Sequence, residues 1–128
     1  PINQIQSYKG MVRLELTNAT TVTAYRNTGD VSYETYLKFL VVQFGAAVSV
    51  QSGTINLASG SVSTTKTITS VDKTKTILSY LNYETDQTGS HHLPSGPRIT
   101  LTNNTTITVT RVDTVGNLVI GYALIEFT

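Results

Sequence analysis

A threonine-rich phrase occurs twice in the chain, and this repeat constrains the fold more than any other feature. Residues 13–26 read RLELTNATTVTAYR and residues 98–111 read RITLTNNTTITVTR, so the two match at eight of fourteen positions. Each phrase is followed by a variable stretch and then by nine mostly apolar residues ending in Phe, YLKFLVVQF at 36–44 and VIGYALIEF at 119–127. The repeat therefore covers about thirty residues per copy, enough for three β-strands.

The spacing of apolar residues within the phrase predicts a β-hairpin. A three-residue loop at residues 103–105 places apolar side chains opposite one another on one face and threonines on the other. The facing pairs are then Leu101 with Ile107 and Ile99 with Val109, and, in the first copy, Leu16 with Val22 and Leu14 with Ala24. The phrase thus encodes a structural unit that can be duplicated.

Composition favours strands throughout. Thr, Val and Ile make up more than a third of the chain, and no stretch of twelve residues has a clean helical stripe. We predict an all-β protein, an antiparallel β-sandwich of jelly-roll-like type with a duplicated three-strand hairpin unit and no significant helix. Residues 45–128 form a complete repeat unit, and residues 1–44 form an abbreviated one that a neighbour completes or that merges into a single domain.

The two closing segments are apolar on both faces, which requires cover on both sides, inside a sandwich or at a subunit interface. We therefore predict a homo-oligomer. The interface candidates are Tyr36, Phe39, Val41, Phe44, Tyr122, Leu124 and Phe127.

Composition also excludes several classes of function. Charged residues make up 13% of the chain and the net charge is +1, so the basic surface typical of nucleic-acid binding is missing. No apolar run approaches the roughly 20 residues of a membrane-spanning helix, and the first residues do not resemble a signal peptide. The absence of cysteine excludes thiol catalysis and disulfides. We expect a soluble protein made in a cytoplasm, without nucleic-acid or membrane partners.

Residue types that often carry catalysis or bind metal are scattered. His91 and His92 lie near Glu84 and Asp86, but adjacent histidines on extended backbone point in different directions, and no third strong ligand lies at a motif spacing. The eight carboxylates form no recognisable glycosidase pair. The sequence therefore predicts a protein that is not an enzyme and that has no metal or cofactor.

Polar and aromatic residues in and near the histidine-containing loop suggest sugar binding instead. Tyr80 and Tyr83 can stack on sugar rings, and Asp86, His91 and His92 can hydrogen-bond to hydroxyl groups. Tyrosine is also a common strand residue that buries its ring and keeps its hydroxyl in water, so a core or interface role is favoured for both tyrosines over sugar binding.

Four arginines bracket the two phrases at identical spacing: Arg13, Arg26, Arg98 and Arg111. Guanidinium groups suit planar, multiply hydrogen-bonded contacts. We predict strand-end ion pairs or contacts between subunits for these four residues.

Several motifs together resemble a β-rich repeat found in structural proteins of tailed bacteriophages. They are VQSG at 50–53, TITSVDKTKT at 67–76, the arginine-bounded phrase at 98–111 and the terminal EF at 126–127. The family includes tail, fibre and capsid-surface components. The resemblance implies a building block displayed on the virion surface, a homo-oligomer with a trimer favoured, and contacts with other virion proteins.

The leading hypothesis is therefore a non-enzymatic phage virion protein, either a capsid decoration or a tail or fibre component, that reaches the virion after assembly in the host cytoplasm. The alternative is a carbohydrate-binding module that recognises host surface glycans. The two roles can coexist at a fibre tip. A polysaccharide-degrading enzyme is a third class, but the sequence lacks the carboxylate pair that such an enzyme needs.

Overall fold

A computed structural model describes residues 11–26, 34–86 and 96–128, which form an all-β structure. These residues contain no α-helix, only one turn of 3₁₀ helix at Lys73–Lys75. The strands are β1 (Val12–Asn18), β2 (Thr21–Arg26), β3 (Val48–Leu57), β4 (Ser63–Thr67), β5 (Thr76–Thr85), β6 (Arg98–Asn103), β7 (Thr106–Thr110) and β8 (Leu118–Phe127). All strand pairs are antiparallel.

Two three-stranded sheets enclose the hydrophobic core. The first sheet has the order β3-β8-β5, the second has the order β4-β7-β6, and β1 and β2 form a two-stranded sheet. The core residues come from both sheets and from the β4–β5 connection: Ile55, Leu57, Ile68, Val71, Tyr83, Leu101, Ile107, Val109, Leu118, Ile120, Tyr122 and Leu124. Alternate residues of β7 and β8 face this core, as expected for stacked sheets. The predicted antiparallel sandwich is confirmed.

Strand β8 lies at the centre of the first sheet and is hydrogen-bonded along both edges. It pairs with β3 without any register shift. Its pairing with β5 contains a bulge between Tyr80 and Tyr83, where Asn82 has a φ of 67°. A bulge changes which side chains face the core. Tyr83 therefore enters the core, where it is 4% exposed.

The β1–β2 hairpin covers the outer face of the same sheet at Gly121. A Cβ atom at this position would lie 3.0 Å from Leu81 Cβ and 3.1 Å from the carbonyl oxygen of Leu14. Arg13 donates to Glu84 Oε1 from Nε at 3.2 Å and from Nη2 at 3.1 Å. The hairpin thus forms a third layer, and its close approach to β8 requires glycine at position 121.

Both copies of the repeated phrase form the predicted hairpin. The facing pairs are Leu16–Val22 and Leu14–Ala24 in β1–β2, and Leu101–Ile107 and Ile99–Val109 in β6–β7. This register is confirmed, but the loop differs from the three-residue loop expected: each turn has two residues, and a bulge at Thr17 or Thr102 restores the register. In each copy the loop asparagine accepts a hydrogen bond at 2.9 Å from the backbone N–H two residues later, an Asx turn.

The third element of the repeat differs between the copies. Residues 119–127 lie in β8, whereas residues 36–44, hereafter the 36–44 segment, lie in no strand. The prediction of a strand at 36–44 is therefore wrong for the single chain. Strand hydrogen bonds require a neighbour, and the described part of this chain places no strand beside the segment.

The connection from β4 to β5 contains the turn predicted at residues 72–74. The Asp72 carboxylate accepts hydrogen bonds from the Thr74 hydroxyl at 2.6 Å and from the Thr74 backbone N–H at 2.9 Å. These bonds hold the pKa of Asp72 below its ordinary value. The carboxylate thereby caps the short 3₁₀ turn that leads into β5.

Arg111 holds together two loops at one end of the sandwich. Its side chain is buried, and each of its five N–H groups donates to a backbone carbonyl: Ser61 at 2.9 Å, Val115 at 3.2 Å, Gly116 at 2.7 Å, Ala58 at 2.7 Å and Thr114 at 3.2 Å. The prediction of an ion pair or a subunit contact is wrong for Arg111, because these carbonyls occupy every donor of the guanidinium group.

Replacing Arg111 with Lys is expected to lower the free energy of unfolding by roughly 2–3 kcal/mol, because an ammonium group has fewer donors and cannot span both loops. Chemical denaturation followed by circular dichroism measures the change. Arg98→Lys is the matched control: Arg98 is exposed at the start of β6, so the loss should stay below about 0.5 kcal/mol. Equal losses in both variants would contradict the role given to Arg111.

Candidate functional site

The 36–44 segment exposes an unusual number of large apolar side chains. Tyr36 is 90% exposed and Leu40 is 85% exposed, although both residue types are usually at least partly buried. The other exposed apolar residues of the segment are Leu37, Phe39, Val41, Val42 and Phe44. Contiguous apolar surface of this kind marks an interaction site on a stable protein.

Comparison with β8 shows how this sequence is buried when it has partners. In the repeat alignment, Leu37, Phe39 and Val41 correspond to Ile120, Tyr122 and Leu124. The three β8 residues are at most 5% exposed, whereas Phe39 and Val41 are more than half exposed. Equivalent positions are therefore buried in one copy and open in the other.

The interface candidates consequently separate into two groups. Tyr36, Phe39, Val41 and Phe44 lie on the open segment, and Phe127 is 41% exposed at the end of β8. Tyr122 and Leu124 do not belong with them: their side chains face the second sheet and lie in the core of the same chain. The prediction of an interface role is wrong for these two residues, because the alternation of β8 turns them inward.

The apolar surface continues from the segment onto the end of the first sheet. The rings of Phe44 and Phe127 meet edge to face with their centroids 6.3 Å apart. On the neighbouring strands, Val50 is 53% exposed and Ile77 is 55% exposed. Both side chains lie on the outer face, because they pair with Ile125 of β8. The segment and this sheet end, together called the assembly surface below, form one apolar region.

The apolar face of the first hairpin, which carries Val12, Leu14 and Leu16, is also partly open. Leu16 is 52% exposed, whereas its repeat counterpart Leu101 is 7% exposed within the core. Between this hairpin and the start of the segment lies a cleft of about 620 Å³, lined by Val12, Ala24, Arg26, Glu34, Thr35, Tyr36 and Leu37. Tyr36 Oη donates to Glu34 Oε2 at 2.8 Å, and Arg26 Nη1 donates to Thr35 Oγ1 at 3.4 Å. The cleft therefore combines an exposed aromatic ring with a carboxylate and a guanidinium group.

Arg13 forms ion pairs with two carboxylates, which is one of the two roles predicted for it. Its guanidinium bonds to Glu15 at 2.7 Å and to Glu84 at 3.1 Å, and it lies 4.0 Å from the centroid of the Tyr25 ring. Burial disfavours the charge, but the hydrogen bonds to both carboxylates outweigh that cost and raise the pKa of Arg13. Sequence reasoning did not pair Arg13 with Glu84, because the two residues are 71 positions apart.

The structure separates the proposed sugar-binding residues. Tyr83 is buried against Gly96 and cannot stack on a ligand, so its assignment to a sugar site is wrong. Tyr80 is 42% exposed on the neighbouring part of β5. Asp86 accepts hydrogen bonds from Asn117 and thereby ties β5 to β8. His91 and His92 lie outside the described residues.

Within the described ranges, no three His, Cys, Asp or Glu side chains group in a way that can hold a metal ion. No helix in the same part of the chain is long and apolar enough to cross a membrane. The chain matches no protein-family model, and neither a curated protein nor a solved structure matches it. Function must therefore be inferred from the residues of the chain itself.

Three tyrosines are expected to make the fold sensitive to alkali. Burial raises the pKa of Tyr80, Tyr83 and Tyr122 in the folded state, with the nearby Tyr83 adding to the effect on Tyr80. The unfolded chain loses its phenolic protons at about pH 10, whereas the folded chain retains them. The free energy of unfolding should therefore be unaffected by these groups below that pH and should fall as the pH rises beyond it.

Chemical denaturation at increasing alkaline pH tests this expectation. Tyr83→Phe keeps the ring but cannot ionise. In this variant the free energy of unfolding should fall less steeply with pH, by an amount that corresponds to at most about one proton. An identical slope in the wild-type protein and this variant would show that Tyr83 does not contribute.

Proposed function

We propose that the chain is a non-enzymatic structural protein of a tailed-bacteriophage virion, a capsid decoration or a tail or fibre component, that assembles through β-strand interfaces. The assembly surface carries this proposal. The equivalent repeat element at residues 119–127 lies buried in β8, at the centre of a sheet. The exposed 36–44 segment therefore has the composition of a buried strand.

Assembly supplies the cover that the single chain lacks. Each large apolar side chain transferred from water to an interface contributes about 1.5–3 kcal/mol. Several such side chains lie together on the assembly surface, and in the segment only Lys38 carries a formal charge. Interfaces between permanent subunits have this apolar composition, with few charges at their centre.

The motif resemblance supports the placement in a virion. The VQSG and TITSVDKTKT motifs lie in β3 and in the β4–β5 connection, and the repeated phrase forms both hairpins. These elements build a rigid β scaffold with tightly hydrogen-bonded turns, which suits a particle that persists outside a cell. By the resemblance, the partners are further copies of the chain, in a trimer, and other virion proteins.

The virion role is tested by mass spectrometry of density-purified virus particles from the source that encodes the chain. Peptides of this protein should be enriched in the particle fraction relative to the unassembled lysate, at a copy number comparable to known structural components. Abundant protein in the lysate together with an empty particle fraction would contradict the proposal.

A carbohydrate-binding role is the second candidate, and the cleft beside Tyr36 favours it. Sugar sites combine an exposed aromatic ring with groups that hydrogen-bond to hydroxyls. Tyr36, Glu34 and Arg26 provide this combination at one place, unlike Tyr80, Tyr83 and Asp86. We therefore propose the cleft in the first half of the chain, rather than the loop in the second half, as the candidate sugar site.

If the cleft binds glycans, the purified chain should bind members of a bacterial-surface glycan array, and Tyr36→Ala should reduce this binding at least about tenfold through loss of ring stacking. Tyr80→Ala is the control, because Tyr80 lies outside the cleft, and it should leave binding unchanged. A blank array, or equal losses in the two variants, would remove the glycan role.

A further inference from the structure

The 36–44 segment has no strand partner among the described residues, although its repeat counterpart has two. Residues 119–127 bond to β3 along one edge and to β5 along the other. The sequence of the segment therefore suits a paired strand, and its backbone N–H and C=O groups need partners as much as its side chains need cover.

Strand β3 offers a long and unprotected sheet edge. It has ten residues, pairs with β8 in unbroken register, and stands at the end of its sheet, so no described strand pairs with its second edge. Its sequence, VSVQSGTINL, contains no charged residue and no proline. Natural proteins usually protect an edge with charges, proline or a bulge, and β3 has none of these.

The other edge strands fit a nine-residue segment less well. Strands β4 and β6, at the edges of the second sheet, have five and six residues. Strand β5 is long enough, but its bulge interrupts a regular ladder. The β1–β2 hairpin also lies against β5 through the Arg13–Glu84 ion pair. Length and regularity therefore single out β3.

The turn between the segment and β3 explains why the two do not pair within one chain. Val48 N–H donates to the Gly45 carbonyl at 3.2 Å, with Ala46 and Ala47 between them. Two-residue hairpins prefer turns with positive φ, typically Asn-Gly, because these match the twist of the strands. Neither alanine has a positive φ, and alanine offers no side-chain cap like that of Asn18 or Asn103.

We propose that the 36–44 segment adds as a strand to the free edge of β3 in a second copy of this chain. This inference rests on the proposed assembly role and specifies the contact that performs it. Each copy donates one strand and accepts one, so two copies can exchange strands in a two-fold dimer, or more copies can close into a ring or continue as a chain.

The side-chain pattern distinguishes the two faces of the donated strand. Position 38 is lysine where β8 has Gly121, the residue that allows the β1–β2 hairpin to approach. A lysine in this place excludes an equally close third layer over the donated strand. The face carrying Leu37, Phe39 and Val41 then turns inward, and Lys38 lies on the opposite face together with Leu40 and Val42.

Size-exclusion chromatography with light scattering on the full chain provides the first test. The wild-type protein should be oligomeric at micromolar concentration, and Val41→Pro should be monomeric, because proline removes a ladder N–H. Val41→Thr keeps both the N–H and the strand preference, so it should remain oligomeric. Residue 41 lies outside every strand, so circular dichroism should show an intact sandwich in both variants.

A second variant tests the role of the turn. Changing Ala46→Asn together with Ala47→Gly creates a favoured hairpin turn, which lets the segment pair with β3 of its own chain. This double variant should shift the equilibrium from oligomer to monomer. An unchanged oligomer would overturn the proposal, because pairing within the chain would then not compete with assembly.

The absence of cysteine in the chain permits an unambiguous cross-linking test. Leu40→Cys protein is mixed with Ser52→Cys protein, where Ser52 is exposed on β3, and oxidised under mild conditions. The same mixture with Thr100→Cys, exposed on β6, is the matched control. Ser49→Cys and Val50→Cys variants, each mixed with Leu40→Cys protein, test whether the segment pairs with β3 in a neighbouring register.

Strand addition should give about tenfold more heterodisulfide with β3 cysteines than with the Thr100 variant, because a disulfide requires Cα atoms within about 7 Å. Equal yields, a monomeric wild-type protein, or oligomers that survive Val41→Pro would overturn the inference. If the protein is detected in purified particles but forms no β3 cross-links, strand addition is rejected and the virion role is retained. If the protein is absent from purified particles and the β3 cross-links are also absent, both the virion role and strand addition are rejected.

Discussion

The hydrogen bonding of one central strand on both edges is the interaction on which the rest of the structure depends. Strand β8 joins β3 to β5, and its inward side chains pack against the β4-β7-β6 sheet. Its outward face accepts the β1–β2 hairpin over Gly121. All three layers therefore meet at β8. Because a strand satisfies its backbone only through neighbours, an equivalent sequence without neighbours cannot play the same part.

The first copy of the repeat shows the consequence. Its hairpin forms with the same register and the same asparagine-capped turn as the second, since those contacts lie within fourteen residues. Its closing segment has no strands beside it in the described chain and leaves an apolar surface in water. The contrast links architecture to the proposed function, because the surface that the described fold leaves uncovered is the surface to which the proposal assigns assembly.

The bracketing arginines show that equal sequence positions can have unequal chemistry. Arg13 is buried against Glu84 and Tyr25, while its counterpart Arg98 is exposed. Arg111 binds five carbonyl groups of two loops, whereas Arg26 lines an open cleft. The side chains are identical, so the difference arises from what the third dimension places around them. Burial strengthens these contacts, because a guanidinium group removed from water requires partners for every donor.

Sequence alone determined the all-β class, the duplicated hairpin and its register, because these follow from side-chain alternation and turn chemistry over short distances. It also indicated correctly that residues 119–127 form a buried strand, whereas the same inference for residues 36–44 was wrong for the single chain. Only the tertiary structure decided that Tyr122 and Leu124 face the core of their own chain, that Tyr83 enters it through a bulge, and that Glu84 pairs with Arg13. Those outcomes depend on which strands become neighbours across long stretches of chain, and local pattern does not encode that choice.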